Sequence, residues 1–176
     1  LFFIGKYNGM VEADENVNSA WSQVENQYQR RLDLIPNLVS TVKGYAAHES
    51  STLEAVVNAR AKATSMQVNI EDAESLAKYQ AAQGELTQAM SRLLMVTENY
   101  PDLKANEQFL ALQSQLEGTE NRISTERGRF NDIAKEYNKM IRIFPNNIVA
   151  SMFLEGELAR NPNEVEGLLR SAAYSD

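Results

Sequence analysis

The chain has 176 residues, 43% of them apolar and 23% charged, with a net charge of −7, one histidine and no cysteine. This length can bury one core of ordinary size, and the lack of cysteine excludes disulfides, zinc–thiolate sites and cysteine nucleophiles. Positive charge is dispersed: residues 105 to 144 set six basic side chains against six acidic ones, which excludes the basic stripe that nucleic acid requires.

Only four prolines and eight glycines punctuate the chain, so long helices are expected. Leu1, Phe2, Phe3 and Ile4 open it without an initiator methionine. They read as the cut or processed end of a hydrophobic segment, the alternative being an apolar terminus that folds onto the core. The sequence holds no run of 18 apolar residues that would span a bilayer.

Val17, Trp21, Val24 and Tyr28 recur at spacings of three and four, the pattern of one buried helix face. Leu32, Ile35, Val39, Val42 and Ala46, then Leu53, Val56 and Val57, continue nearly the same period to about Ala63. The stretch RRLDLIPNLVSTVKGYAAHES interrupts it with charge and proline. Asp33 is suited to cap a new helix, and Pro36 in mid-helix would cost about 3 kcal/mol, so a tight corner near residues 32 to 34 is expected, against a kinked but continuous helix. A third helix is expected to begin at the cap offered by Asn69, Glu71 and Asp72 and to end near Asn99, before Tyr100-Pro101-Asp102. The fourth carries Phe109, Leu112, Leu116, Ile123, Phe130, Ile133, Tyr137, Met140 and Phe144 in a near-heptad seam up to Pro145.

Four amphipathic helices joined by short connections are most simply an all-α, up-and-down antiparallel four-helix bundle. Residues 1–6 are expected to be the remnant of an N-terminal membrane segment, residues 7–145 the bundle, and residues 146–176 a C-terminal helical extension. In the extension, Met152 and Phe153 belong to an apolar patch. Asn161-Pro162 then restarts a helix carrying Val165, Leu168, Leu169 and Ala172. An amphipathic helix after a completed bundle needs a partner: its own bundle, another subunit or a membrane surface.

The stretches YNGMV, AWSQVENQYQRRLDLIPNLVSTVKGYAAHESSTLEAV, NYPDLKANEQF, LQSQLEGTENRIS, YNKMI and FPNNIVA resemble the bacterial LemA family across residues 7 to 150. The resemblance implies a four-helix bundle tethered by an N-terminal hydrophobic helix, held outside the cytoplasm, with no established enzymatic activity. Glu120, Asn121, Arg127, Asn131 and Asn138 match polar positions of the family's pattern. The resemblance lapses after about residue 153 and implies nothing about the tail.

Few residues suit chemistry. His48 lies beside Glu49 and near Glu54, a pair that could work as acid and base or help hold a metal, yet three or four ligands cannot be assembled there. A surface histidine near a helix middle is the plainer reading. The sequence shows no phosphate loop, nucleophile elbow or metal-ligand pair, so neither catalytic residues nor cofactor is expected. Arg31 and Asp33, with Glu120, Arg127 and Asn131, are expected to form a structural polar network; the alternative is an anion clamp using Arg30, Arg31 and Asp33. Trp21, Tyr28 and Tyr45 are expected to anchor the core.

The functional expectation is a non-catalytic structural or interaction module of the bacterial cell envelope. It would be membrane-anchored on the extracytoplasmic side and able to form homo-oligomers, with Leu1, Phe2, Phe3, Ile4, Met152, Phe153, Leu168 and Leu169 as its membrane or self-association residues. The alternative is a small-ligand or peptide receptor with a groove between helices, anchored by Arg31, Asp33 and Arg127. The sequence identifies no protein partner.

Overall fold

The apolar stripe that begins before Val17 continues through Pro36 in one helix, α1, spanning Phe2–Ala46. The computed structural model describes residues 1–70, 72–143 and 147, and residues 32 to 34 lie inside this helix. The expected corner there is therefore absent. Proline at position 36 removes the N–H that would bond the Leu32 carbonyl. A second helix supplies the missing donor: Arg60 Nε donates to Leu32 O at 2.9 Å. A tertiary contact offsets a local penalty, and the stripe stays on one helix. Asp33 caps nothing; it is exposed and accepts a hydrogen bond from Gln29 Nε2 at 2.9 Å.

The turn falls later, at Ala47–Glu49, where Glu49 N donates to Ala46 O. Helix α2 spans Ser50–Ser65 and buries Leu53, Val56 and Ala63. Helix α3 spans Ala73–Thr97, with Asp72 Oδ1 accepting from the Glu74 amide at its start. A single turn, α4, spans Pro101–Lys104 with proline in its first turn, where the lost donor is harmless. Helix α5 spans Glu107–Arg142, and Asn106 caps it by accepting from the Phe109 amide at 3.0 Å. All secondary structure among the described residues is helical.

The chain divides into two compact units. The first comprises Leu1–Glu25, Asn69–Ala77 and the residues from Ser124 onward. It buries Met10, Val17, Trp21, Val24, Leu76, Phe130 and Tyr137, and the Trp21 and Phe130 rings meet edge to face with centroids 5.2 Å apart. The second comprises Asn26–Val68 and Lys78–Ile123. Its core joins Leu32, Ile35, Leu38 and Val42 of α1 to Leu53 and Val56 of α2, Leu86 and Leu93 of α3, and Phe109 and Leu116 of α5. Of the three expected aromatic anchors, Trp21 and Tyr28 are buried, whereas Tyr45 is 43% exposed, its hydroxyl accepting from Asn106 Nδ2. The expected residues Met152, Phe153, Leu168 and Leu169 lie outside the described residues.

Candidate functional site

The most constrained polar centre of the second unit is Arg31, which is 1% exposed. The stripe that buries Tyr28, Leu32 and Ile35 also turns position 31 inward, so a guanidinium enters the core and must find acceptors there. Its Nη1 donates to Thr87 Oγ1 and Glu120 Oε1, each at 2.8 Å. Its Nη2 donates to Gln83 Oε1 at 2.6 Å and to Gln83 O at 3.1 Å. Thr87 in turn donates to Gln83 O, and the guanidinium carbon lies 5.3 Å from the centre of the Tyr28 ring, within cation–π range.

One side chain of α1 therefore ties α3 and α5 together. The planar fork suits this because its donors point in fixed directions, whereas a lysine would present a point charge. The Arg31 side chain is sealed from solvent and its two terminal nitrogens are occupied by protein acceptors, while the buried Nε has no hydrogen-bond partner among the described residues. Glu120 is the solvent end of the pair, with its side chain 43% exposed.

Of the residues expected to share this network, Arg31 and Glu120 are joined directly. Asp33 faces solvent and pairs with Gln29 on its own helix. Arg127 and Asn131 are half-buried in the first unit. The reading from sequence missed Gln83 and Thr87. Their spacing of four places both on one face of α3, but only the tertiary structure turns that face toward Arg31.

Beside this centre α3 and α5 border a groove of about 430 Å³, with Met90, Leu94 and Leu116 as its apolar surface and Thr87, Glu117 and Glu120 as its polar one. At the end of the same unit, Tyr100 joins two turns. Its hydroxyl donates to Glu49 Oε1 at 3.0 Å and lies 2.5 Å from His48 Nε2. With its proton directed at Glu49, the hydroxyl oxygen is free to accept from His48 when the imidazole carries its proton on Nε2. Partial burial, then the hydrogen bond and charge of Glu49, hold the phenol above its ordinary pKa. His48 thus sits in the α1–α2 turn and not near a helix middle, where the sequence pattern suggests it. No group of three or more metal-ligating side chains occurs among the described residues.

At the start of α1, Leu1, Phe2, Phe3 and Ile4 are all exposed, and the Phe2 and Phe3 rings touch edge to face at 5.6 Å. No described helix is long and apolar enough to cross a membrane.

These features define an all-helical protein whose best-built polar site is the Arg31–Glu120 ion pair inside one helical unit. Residues 20–160 match the sequence model of the LemA family, and the chain belongs to that family. It is 24% identical over 148 residues to protein LemA of Metamycoplasma hominis, an alignment covering 84% of this chain and 65% of that protein. It is 26% identical over 164 residues to magnetosome protein MamQ 2 of Paramagnetospirillum magneticum, and 24% identical over 164 residues to magnetosome protein MamQ of Magnetospirillum gryphiswaldense. Both of these alignments cover 82% of this chain and 60% of the relative. The chain thus spans between 60% and 65% of the length of the relatives it matches.

Proposed function

We propose that the chain is a non-catalytic structural and interaction module of the bacterial cell envelope, an up-and-down four-helix bundle held at the membrane by its apolar N-terminal end. The observation that carries this reading is the first turn of α1. Phe2, Phe3 and Ile4 are each more than half exposed and, as consecutive helical residues, spread over about 200° of the helix circumference, wider than one stripe. A helix packed on a core buries its apolar stripe, whereas a helix end that enters lipid keeps its apolar side chains exposed to it. The extracytoplasmic side rests on the family resemblance alone. The same exposed turn gives self-association a surface, so homo-oligomers belong to this reading.

The order of contacts in the second unit supports the bundle arrangement. Residue numbers rise together from the contact of Tyr28 in α1 with Tyr79 in α3 to that of His48 with Tyr100, just past the C-terminal ends of the same two helices. They run oppositely along α1 and α5, where Arg31 meets Glu120 and Tyr45 meets Asn106.

Vesicle flotation tests the membrane reading. The chain is expected to float with anionic phospholipid vesicles, and the triple change Phe2→Ser, Phe3→Ser and Ile4→Ser to leave it at the bottom of the gradient. An unchanged chain that also stays at the bottom refutes the N-terminal anchor. The receptor alternative has the α3–α5 groove in its favour, with Glu117 and Glu120 above an apolar bed, a surface suited to an amphipathic cation. Saturable binding of such a ligand, lost on Leu116→Glu, would favour it.

A further inference from the structure

The α3–α5 groove of the second unit continues past the residues that border it. Thr87 and Ser91 line it from α3, and Met95, one turn further along the same row, is 73% exposed. Gln113 and Glu117 line it from α5, and Leu110, three residues before Gln113 on that face, is 49% exposed. Met95 lies near the end of α3 and Leu110 near the start of α5, so the short connection through α4 keeps both at one end. Glu117 and Glu120 stand toward the other, where Arg31 joins Thr87 to Glu120. Met90, Leu94 and Leu116 form the floor between them. From Leu110 to Glu120 the strip follows α5 for about 15 Å at 1.5 Å per residue, nearly three helical turns. One end is therefore apolar and open to solvent, and the other is acidic.

The acidic end is short of positive charge. Glu117 is exposed and pairs with no cation among the described residues. Glu120 gives Oε1 to Arg31, and its side chain stays 43% exposed. Arg92 and Arg122 follow lining residues in sequence, but each lies about 100° or more around its helix from every residue that lines the groove.

We propose that this strip docks a basic amphipathic helix of a partner protein. Apolar side chains of that helix, at spacings of three and four, lie along Met95, Leu110 and the floor, and a lysine or arginine one turn further meets Glu117 and Glu120. Two flanking helices leave a channel shaped for a third. Met90 and Met95 are unbranched and adapt to differing partner side chains. A carboxylate above an apolar bed suits a cation on a long apolar stem, which covers the floor while its charge reaches Glu117. Contiguous exposed apolar side chains beside the groove mark an interaction surface. The docking rests on the interaction role proposed above and is independent of that role's membrane half.

The probe is a labelled synthetic peptide of about three to four helical turns, with leucine at spacings of three and four and lysine elsewhere. Its control carries glutamate in place of lysine. Fluorescence anisotropy is expected to show one saturable site for the lysine peptide on the full chain. Affinity should fall at least tenfold with Glu117→Lys, and again with the pair Met95→Ser and Leu110→Ser. Glu54→Lys makes the same charge change on the exposed side of α2 and should leave affinity within roughly twofold. All four side chains are exposed, so the variants keep the fold, which helical circular dichroism checks. Equal losses from Glu117→Lys and Glu54→Lys overturn the proposal, because general attraction to an acidic chain then accounts for the binding. Equally tight binding of the glutamate peptide overturns it, as does affinity that survives Met95→Ser with Leu110→Ser. A concentration-dependent dimer that Glu117→Lys dissolves also overturns it, because a second copy is then the occupant. A chain that ignores the lysine peptide yet floats with vesicles through Phe2, Phe3 and Ile4 overturns the docking and leaves the membrane reading standing.

Discussion

Replacing Pro36 by alanine restores an amide to the middle of α1, and the consequence depends on a residue in another helix. The Leu32 carbonyl lacks its helical donor and accepts from Arg60 Nε at 2.9 Å. Changing Arg60 to methionine keeps most of the apolar stem but removes the donor, leaving a carbonyl of a residue that is 3% exposed without its partner. A hydrogen bond from a charged donor contributes about 1.5 kcal/mol or somewhat more, so Arg60→Met should cost that amount in the natural sequence. In a Pro36→Ala background the restored backbone amide takes over the carbonyl, and Arg60→Met should cost less than about 0.5 kcal/mol. Pro36→Ala itself should stabilise by about 1–2 kcal/mol, the mid-helix proline penalty of about 3 kcal/mol being reduced by the greater entropy of the unfolded chain and the redundancy of Arg60. Urea unfolding followed by helical circular dichroism on the four chains of this cycle measures the coupling. An equal cost of Arg60→Met in both backgrounds would mean that the arginine does not serve the proline's missing bond.

Arg31→Met should destabilise by about 3 kcal/mol, because it removes the charged donor of four hydrogen bonds and strands the buried Gln83 side-chain oxygen. With a slope of about 2 kcal/mol/M that is a midpoint shift of about 1.5 M urea, and adding Gln83→Leu should recover part of it; a neutral Arg31→Met would remove the register role. Gly118 and Gly128 lie within α5, and a Cβ at either meets nothing within 4 Å, so each change to alanine should raise stability by about 0.5–1 kcal/mol in thermal unfolding. The raised phenol of Tyr100 favours the protonated folded form. Its contribution is fully present below the unfolded value of about 10 and is lost as pH rises through the higher folded value. Stability measured across that alkaline window should therefore fall in the natural chain by more than in Tyr100→Phe, and parallel curves would refute the link.

Much of the fold was legible because helical periodicity is local. The stripe from Val17 to Ala46 and the seam from Phe109 to Tyr137 are written in three- and four-residue spacings, and both became single helices. The α3 start at Asp72 and the stop before Pro101 follow from capping and proline chemistry. The expected corner at residues 32–34 failed for a non-local reason: the donor that rescues Leu32 O comes from Arg60, and nothing near Pro36 announces it. The true turn at Ala47–Glu49 has no proline, and Gly44 precedes it inside the helix. Its signal was weaker than the false one.

The site divides in the same way. Two members of the polar network, Arg31 and Glu120, were recognisable as charges placed within apolar stripes, but their acceptors and donors on α3 were not. Periodicity tells which side of a helix is buried and not which helix will face it. By itself, the sequence determined the helical class, the lack of thiol chemistry and the long apolar faces, because these depend on residue type and spacing along one chain. The tertiary structure alone decided that Pro36 sits in an unbroken helix, that Tyr45 stays exposed, and that Gln83 and Thr87 complete the shell around Arg31. Each of those outcomes depends on a hydrogen bond or a burial supplied by residues distant in the chain.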